Sequence, residues 1–251
     1  VDLASFLCAM GARISGAGTS TIQVEGTPRL HGAAYRIMPD RMEAGTFALA
    51  ALVSSGKVVM DGAVSPYLGA LTNKMREAGA EVIATRQRYE VRAPAKLRAT
   101  DIQTYPYPGF PTDLQALYTA TMTQAEGNSS IYETMYDDRL RYAEELRRMG
   151  AHIDVSGSGR MAMVHGPTPL HGTHVRALDI RSGAAMILAA LAAEGTTHVS
   201  NVAYIDRGYQ DIVPKLRQLG AAISRVEEDE PSCPPNECDE PIEWEAIPVR
   251  G

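Results

Sequence analysis

Four segments of this 251-residue chain read alike: Met10-Gly11-Ala12-Arg13-Ile14, Ala78-Gly79-Ala80-Glu81-Val82, Met149-Gly150-Ala151-His152-Ile153 and Leu219-Gly220-Ala221-Ala222-Ile223. Their glycines stand 68, 71 and 70 residues apart. Self-similarity at a fixed period means that one structural unit is built several times, and it must be settled before any local reading. Each glycine closes an amphipathic run. Leu71, Met75 and Ala78 share one helical face, as do Tyr142, Leu146 and Met149, then Ile212, Leu216 and Leu219. Glycine just past such a run ends the helix in the left-handed conformation. Strand-like runs follow, such as Glu81 to Ala84 and Tyr89 to Arg92.

A second helix type also recurs. Glu43 to Ser54, Asp113 to Gln124 and Ser182 to Ala193 are apolar on nearly every face, which marks helices enclosed by protein. Strand candidates follow each, at Lys57 to Gly62, Ser129 to Thr134 and Thr197 to Asn201. The unit is therefore strand, buried helix, strand, amphipathic helix, strand, strand, with copies at roughly 33–97, 98–169 and 170–226. Residues 1–32 supply only an amphipathic helix and a hairpin, the back end of a unit. The last copy has one closing strand, Ala221 to Val226, where its siblings have two. Such a pattern should continue before Val1, a residue that also stands where an initiator Met is expected.

Charge separates the body from its tail. The net charge is −6, but Val226 to Gly251 carries nine acidic residues against Arg250, leaving the preceding 225 residues at +2. A near-neutral body without a dense basic block argues against a nucleic-acid binder. Five of the fifteen prolines lie in that acidic tail, a composition expected to be disordered, with Trp244 as a possible docking point. Apolar runs such as Ala184 to Ala193 are too short to span a bilayer, which needs about 20 residues. No secretory leader opens the chain, so neither a membrane protein nor an exported one is expected. Three cysteines cannot make a disulfide framework, which points to a reducing compartment. Cys233 and Cys238 are spaced C-x4-C with no second pair, a poor zinc signal.

The buried helices begin with charge: Pro39-Asp40-Arg41-Met42-Glu43, Pro111-Thr112-Asp113-Leu114-Gln115 and Asp179-Ile180-Arg181-Ser182. Helix capping accounts for any one of these aspartates. Three equivalent helix starts brought together, with Arg41 and Arg181 beside them, would make an anion site edged by carboxylates. Arg207, in Asp206-Arg207-Gly208-Tyr209, and Arg139 are further candidates; a simple ion pair with Asp206 and a solvated charge are the plain alternatives. Gly16-Ala17-Gly18 and Ser156-Gly157-Ser158-Gly159 occupy one repeat position between two strands, hence hairpin turns rather than phosphate loops. His31 and His171 recur in Leu-His-Gly and read as structural. No metal-spaced His pair and no nucleophile elbow is visible. The eleven methionines read as core fillers.

The stretch Pro39 to Phe47, with Pro108-Gly109-Phe110-Pro111-Thr112-Asp113-Leu114-Gln115-Ala116, Leu146 to Ala151 and Asp206-Arg207-Gly208-Tyr209, resembles the enolpyruvyl transferases that act on UDP-N-acetylglucosamine. The resemblance covers about residues 1–226. It implies an α/β fold of repeated βαβαββ units, an inside-out barrel with helices at the centre, incomplete here at both ends. Residues 1–38 would close a largely absent first domain, 39–226 would form most of the second, and 227–251 would be the tail. The implied reaction moves enolpyruvyl from phosphoenolpyruvate to the sugar 3-hydroxyl, in the bacterial cytoplasm, as the first committed step of peptidoglycan synthesis. No cofactor or metal is implied.

By the same resemblance, Asp113 is the base at the 3-hydroxyl and Asp179 the second carboxylate near the reacting carbons. Met135 offers its backbone to the UDP-sugar, Arg139 belongs to the closed site, and Arg181 and Arg207 clamp phosphoenolpyruvate; Arg41 is a site candidate from its helix start alone. The proton-donating residue lies in the first domain, before Val1, and Cys8 does not correspond to it. The chain alone is therefore expected to be inactive. Another enolpyruvyl transferase, such as the 3-phosphoshikimate enzyme, or a non-catalytic UDP-sugar-binding half-protein are the alternatives.

Overall fold

The computed structural model describes residues 1–62 and 65–226. The acidic tail, with Cys233, Cys238 and Trp244, lies outside the described residues. Two compact units divide the chain, Val1–Ile212 and the remainder from Val213.

Helix α1 (Asp2–Ala9) and the antiparallel hairpin β1 (Arg13–Ser15) and β2 (Gln23–Glu25) open the chain. No residue of α1 is buried. The first repeat contributes α2 (Arg41–Val53), β3 (Lys57–Asp61), α3 (Gly69–Glu77), β4 (Glu81–Ala84) and β5 (Arg88–Arg92). The second is complete: β6 (Ile102–Gln103), α4 (Gln115–Met122), β7 (Gly127–Tyr132), α5 (Tyr142–Arg148), β8 (His152–Val155) and β9 (Met161–Gly166). The third has β10 (His174–Arg176), α6 (Ile180–Ala192), β11 (His198–Ser200), a short α7 (Ala203–Asp206) and α8 (Ile212–Gln218).

The three apolar helices form the centre. α2, α4 and α6 pack against one another, and every residue of α4 is buried. Their all-round apolarity has this cause: each is walled by its two siblings and by its own sheet. The hydroxyls within this core pair off. Thr46 bonds to the Tyr209 hydroxyl at 2.9 Å and Thr119 to that of Tyr142 at 2.8 Å. Thr72 bonds to Tyr89 at 2.6 Å, and Thr100 pairs with Tyr118. A buried hydroxyl left without a partner would cost about 1–3 kcal/mol, so each pair removes a penalty.

The sheets follow the repeat. β6 runs parallel to β7, and the order β6-β7-β9-β8 is otherwise antiparallel. β10 likewise lies parallel to β11. In the first repeat the order is β3-β5-β4, and among the described residues β3 lacks the parallel neighbour that β7 and β11 have. No regular structure stands between β2 and α2 to supply it.

The amphipathic helices end as their glycines require. Gly11, Gly79, Gly150 and Gly220 have φ of 96°, 100°, 101° and 99°, a region that L side chains resist. A latch not singled out in the sequence reinforces each of the last three ends. Arg76, Arg147 and Arg217, three residues before the glycine, donate to the carbonyls of Val82, Ile153 and Ile223. The His31 and His171 backbone N–H groups donate to the carbonyls of Met10 and Met149, in keeping with structural roles.

Two expectations need correction. Ala221 to Val226 is irregular rather than a strand: its apolar alternation has no ladder partner among the described residues. Leu219, placed on one face with Ile212 and Leu216, is 55% exposed, whereas Ala78 and Met149 at the equivalent positions just past α3 and α5 are fully buried. No described helix is long and apolar enough to cross a membrane.

Candidate active site

The starts of α2, α4 and α6 carry the charged residues expected from the sequence; ion pairs join those of α4 and α6 through Arg139 and Arg181, and Asp40 and Arg41 of α2 interact with them electrostatically. The three aspartates do different work. Asp40 caps α2, its Oδ1 accepting from the Met42 and Glu43 N–H groups at 2.7 and 3.3 Å. Asp179 caps α6, accepting from Arg181 N–H at 2.8 Å and Ser182 N–H at 2.7 Å in a reciprocal capping box. Asp113 caps nothing. It sits in a 3-10 turn, Thr112–Leu114, whose capping position is Pro111, and both of its oxygens face arginines. Capping thus explains two of the three aspartates and leaves Asp113 for another task.

Arg139 lies 3.3 Å from Asp113 Oδ1 and 3.6 Å from Asp179 Oδ2, bridging two repeats. Arg181 Nη2 lies 3.4 Å from Asp113 Oδ2. Burial pulls the Arg181 guanidinium down, but Tyr209 and the Asp113 and Asp40 carboxylates outweigh it and hold it above the ordinary arginine value. Arg41 is lowered, chiefly by burial, against the pull of Tyr107, Asp113 and Asp40. Its Nη1 reaches the Tyr67 carbonyl at 3.5 Å and its guanidinium sits 5.3 Å from the Tyr107 ring centroid. Arg181 likewise lies over the Tyr209 ring, at 5.5 Å.

Two polar groups here remain unsatisfied. Arg181 Nη1 and the whole side-chain amide of Gln115, the first residue of α4, are buried without a hydrogen-bond partner among the described residues. Native structures leave few such groups, and each calls for a reason. Both belong to first turns, Gln115 to that of α4 and Arg181 to that of α6. An oxygen-rich anion would satisfy a partnerless guanidinium N–H, with the positive helix ends adding to the attraction.

Met135 is 40% exposed, and its backbone N–H donates to Glu133 Oε1 at 2.7 Å. Glu133 escaped the sequence reading, yet it is fully buried. Its Oε1 also accepts from Thr104 Oγ1 at 2.9 Å and Tyr136 N–H at 3.2 Å, and its Oε2 from Thr112 Oγ1 at 2.9 Å. One carboxylate therefore fastens the Met135–Tyr136 turn to the segment carrying Asp113. The signal was available: Ser129, Ile131 and Glu133 are in phase at period two, and the first two face the core. Arg207 is exposed over the Tyr204 ring, 5.1 Å from its centroid, apart from the ion pairs of Asp113. The 520 Å³ groove lined by Asn73, Lys74, Asp101, Phe110 and Tyr132 involves none of the candidate residues.

Residues 1–216 match the family model for EPSP synthase (3-phosphoshikimate 1-carboxyvinyltransferase). The chain is 46% identical over 229 residues to the UDP-N-acetylglucosamine 1-carboxyvinyltransferase of Finegoldia magna, covering 90% of this chain and 54% of that protein. It is 48% identical to the protein of the same name from Desulfofundulus thermocisternus, covering 91% and 94% respectively. Among solved structures, the enolpyruvyl transferase NikO of Streptomyces tendae superposes with a TM-score of 0.78 at 29% identity, over 87% of this chain and 52% of that one. An EPSP synthase of Acinetobacter baumannii shares the fold at a TM-score of 0.64 and 17% identity, over 85% of this chain and 53% of its own. The chain thus spans about half the length of the Finegoldia magna relative and of both solved structures.

Proposed function

The chain belongs to the EPSP synthase family, alongside the UDP-N-acetylglucosamine 1-carboxyvinyltransferases, and on that premise we propose that its helix-start cluster is half of an enolpyruvyl-transfer site. The reaction joins the 3-hydroxyl oxygen of UDP-N-acetylglucosamine to C2 of phosphoenolpyruvate and expels phosphate. Protonation of the methylene carbon to a methyl group and attack of the hydroxyl oxygen make C2 tetrahedral, and loss of a proton from that methyl group with departure of phosphate restores the enol ether. Asp113 takes the hydroxyl proton, and Asp179 serves the proton traffic at the methylene carbon. Arg181 and Arg207 hold the phosphate and carboxylate of phosphoenolpyruvate, with Arg41 and Arg139 adding positive potential. Arg207 must swing in from its place over Tyr204 to do so. The Met135 N–H is already bound to Glu133, so the contact to the UDP-sugar falls to its carbonyl.

The observation that carries this reading is the contrast among the aspartates: Asp113 alone is free of capping duty. Arginines hold its carboxylate, and the buried Arg181 Nη1 beside it lacks an acceptor. We assign residues 1–38 to the end of a first domain and 39–226 to most of the second, the repeats of which form an inside-out barrel around α2, α4 and α6. The general acid and the remaining phosphoenolpyruvate ligands belong to that first domain, and the setting is the cytoplasm. A phosphate-release assay tests this. The chain with both substrates should be silent, and adding a separately produced N-terminal half of the Finegoldia magna relative should give turnover that Asp113→Asn abolishes. Turnover by this chain alone would refute the placement of the acid.

A further inference from the structure

Sheet register brings together a set of ligand-type side chains that sequence spacing hides, on the face away from the core. His152 on β8 lies directly opposite His165 on β9, and Asn128 on β7 lies opposite His165 from the other side. Asp154 is two residues along β8 and so shares the face of His152. Their neighbours Ile153 and Val164 point the other way and are buried. The two imidazole rings are 4.3 Å apart between centroids, and His165 Nε2 is 3.0 Å from Asp154 Oδ2. The donor atoms of His152, Asp154 and His165 all lie within 4.8 Å of one another.

The second ring nitrogen of His165 supplies the stronger argument. Nδ1 lies 3.0 Å from Asn128 Oδ1. With Nδ1–H donating to that oxygen, the Nε2 lone pair is left facing a carboxylate oxygen. A cation held between those two atoms would bond to both. Two ligand atoms on one tetrahedral ion, each about 2.0–2.2 Å from it, are about 3.3–3.6 Å apart. The 3.0 Å Nε2 to Oδ2 separation needs to widen by only a few tenths of an ångström, and His152 offers a third donor within 4.8 Å of both.

We propose that His152, Asp154 and His165 bind a divalent late first-row transition metal such as Zn²⁺. Asn128 is the positioning residue that fixes the His165 tautomer, as an outer partner of a ligating imidazole does. Two imidazoles and one carboxylate suit these borderline ions and not the hard Mg²⁺ or Ca²⁺. The site is separate from the helix-start cluster and does not depend on the proposed reaction.

The test is calorimetric titration of the full chain with Zn²⁺ and with Mg²⁺, in a C233S/C238S background so that the tail thiols cannot contribute. Expected are one Zn²⁺ equivalent, no Mg²⁺ binding, loss of saturable binding in His165→Ala and Asp154→Ala, and about tenfold weakening in Asn128→Ala. Substitution with Co²⁺ should give a visible d–d spectrum that His152→Ala alters. A H174A/H198A variant, which removes the stacked His pair on β10 and β11, should bind as the parent does. Absence of saturable Zn²⁺ binding would overturn the proposal. So would binding that survives in a H152A/H165A variant or is lost in H174A/H198A. Circular dichroism of each variant separates loss of the ligand from loss of the fold.

Discussion

Removing the Glu133 carboxylate should be among the most damaging single changes outside the apolar core. Four donors converge on it: the hydroxyls of Thr104 and Thr112 and the backbone N–H groups of Met135 and Tyr136. Hydrogen bonds to a charged group contribute about 1.5–3 kcal/mol each, and a buried donor left unpaired costs about 1–3 kcal/mol. Thr104 is fully buried and has no route to water, whereas Met135 and Tyr136 are exposed enough for their N–H groups to be rehydrated. Glu133→Ala should therefore cost about 3–5 kcal/mol, a large part of the roughly 5–15 kcal/mol of a typical domain. Glu133→Gln should cost only about 1–2 kcal/mol. Its amide oxygen can keep the three donors now on Oε1, and its NH₂ can meet Thr112 once that hydroxyl turns to accept. Urea unfolding of the three proteins gives the stabilities, and amide exchange at Met135 and Tyr136 reports the local effect. Protection there should be lost in the alanine variant and largely kept in the glutamine one. A loss below about 1 kcal/mol in Glu133→Ala, or equal losses in both variants, would refute this account.

Other consequences follow from the repeat and from the buried hydroxyls. Gly79→Ala and Gly150→Ala both place a β-carbon at positive φ, but at Gly150 it would meet the Pro169 carbonyl oxygen at 3.0 Å, while at Gly79 it meets Pro94 carbons at 3.5 Å. The expected costs are about 1 kcal/mol at Gly79 and about 2 kcal/mol at Gly150, so a reversed order of urea midpoints would contradict the packing argument. Burial raises the Tyr89, Tyr118, Tyr142 and Tyr209 phenols above their ordinary value, against the opposing effect of their threonine partners. The folded state then keeps protons that the unfolded chain gives up near pH 10, so stability is full below about pH 10 and falls as pH rises further. Tyr142→Phe should flatten that decline, since Thr119 retains its bond to the Gln115 carbonyl; an alkaline limb as steep as the parent's would count against it.

What the sequence disclosed is what short-range rules control. The four glycine helix ends, the buried helices and most strand positions came from periodicity and from conformations that glycine alone tolerates. The charged helix starts were legible because three copies stood at equivalent places. Their division of labour was not: whether Asp113 or Asp179 spends its oxygens on a cap depends on one turn of backbone that residue identity does not specify. Contacts made by register were hidden too. His152 and His165 are thirteen positions apart in sequence and adjacent only because β8 and β9 pair as they do. Glu133 lay between these cases, since its phase with Ile131 announced burial, while its four donors come from three separate segments. Ala221 to Val226 shows the converse, a strand-like pattern that forms no ladder without a neighbour.

The central claim is that Asp113 is held for a substrate rather than for the fold, and titration with UDP-N-acetylglucosamine beside Asp113→Ala tests it most directly. The Asp113 side chain is 43% exposed and its arginine partners stand at 3.3 and 3.4 Å, so the substitution should change stability by no more than about 1 kcal/mol. The account predicts saturable binding by the parent chain, weakened at least tenfold in a variant that unfolds at nearly the same urea concentration. Equal binding by both proteins, or a parent chain that binds no UDP-sugar, would contradict it.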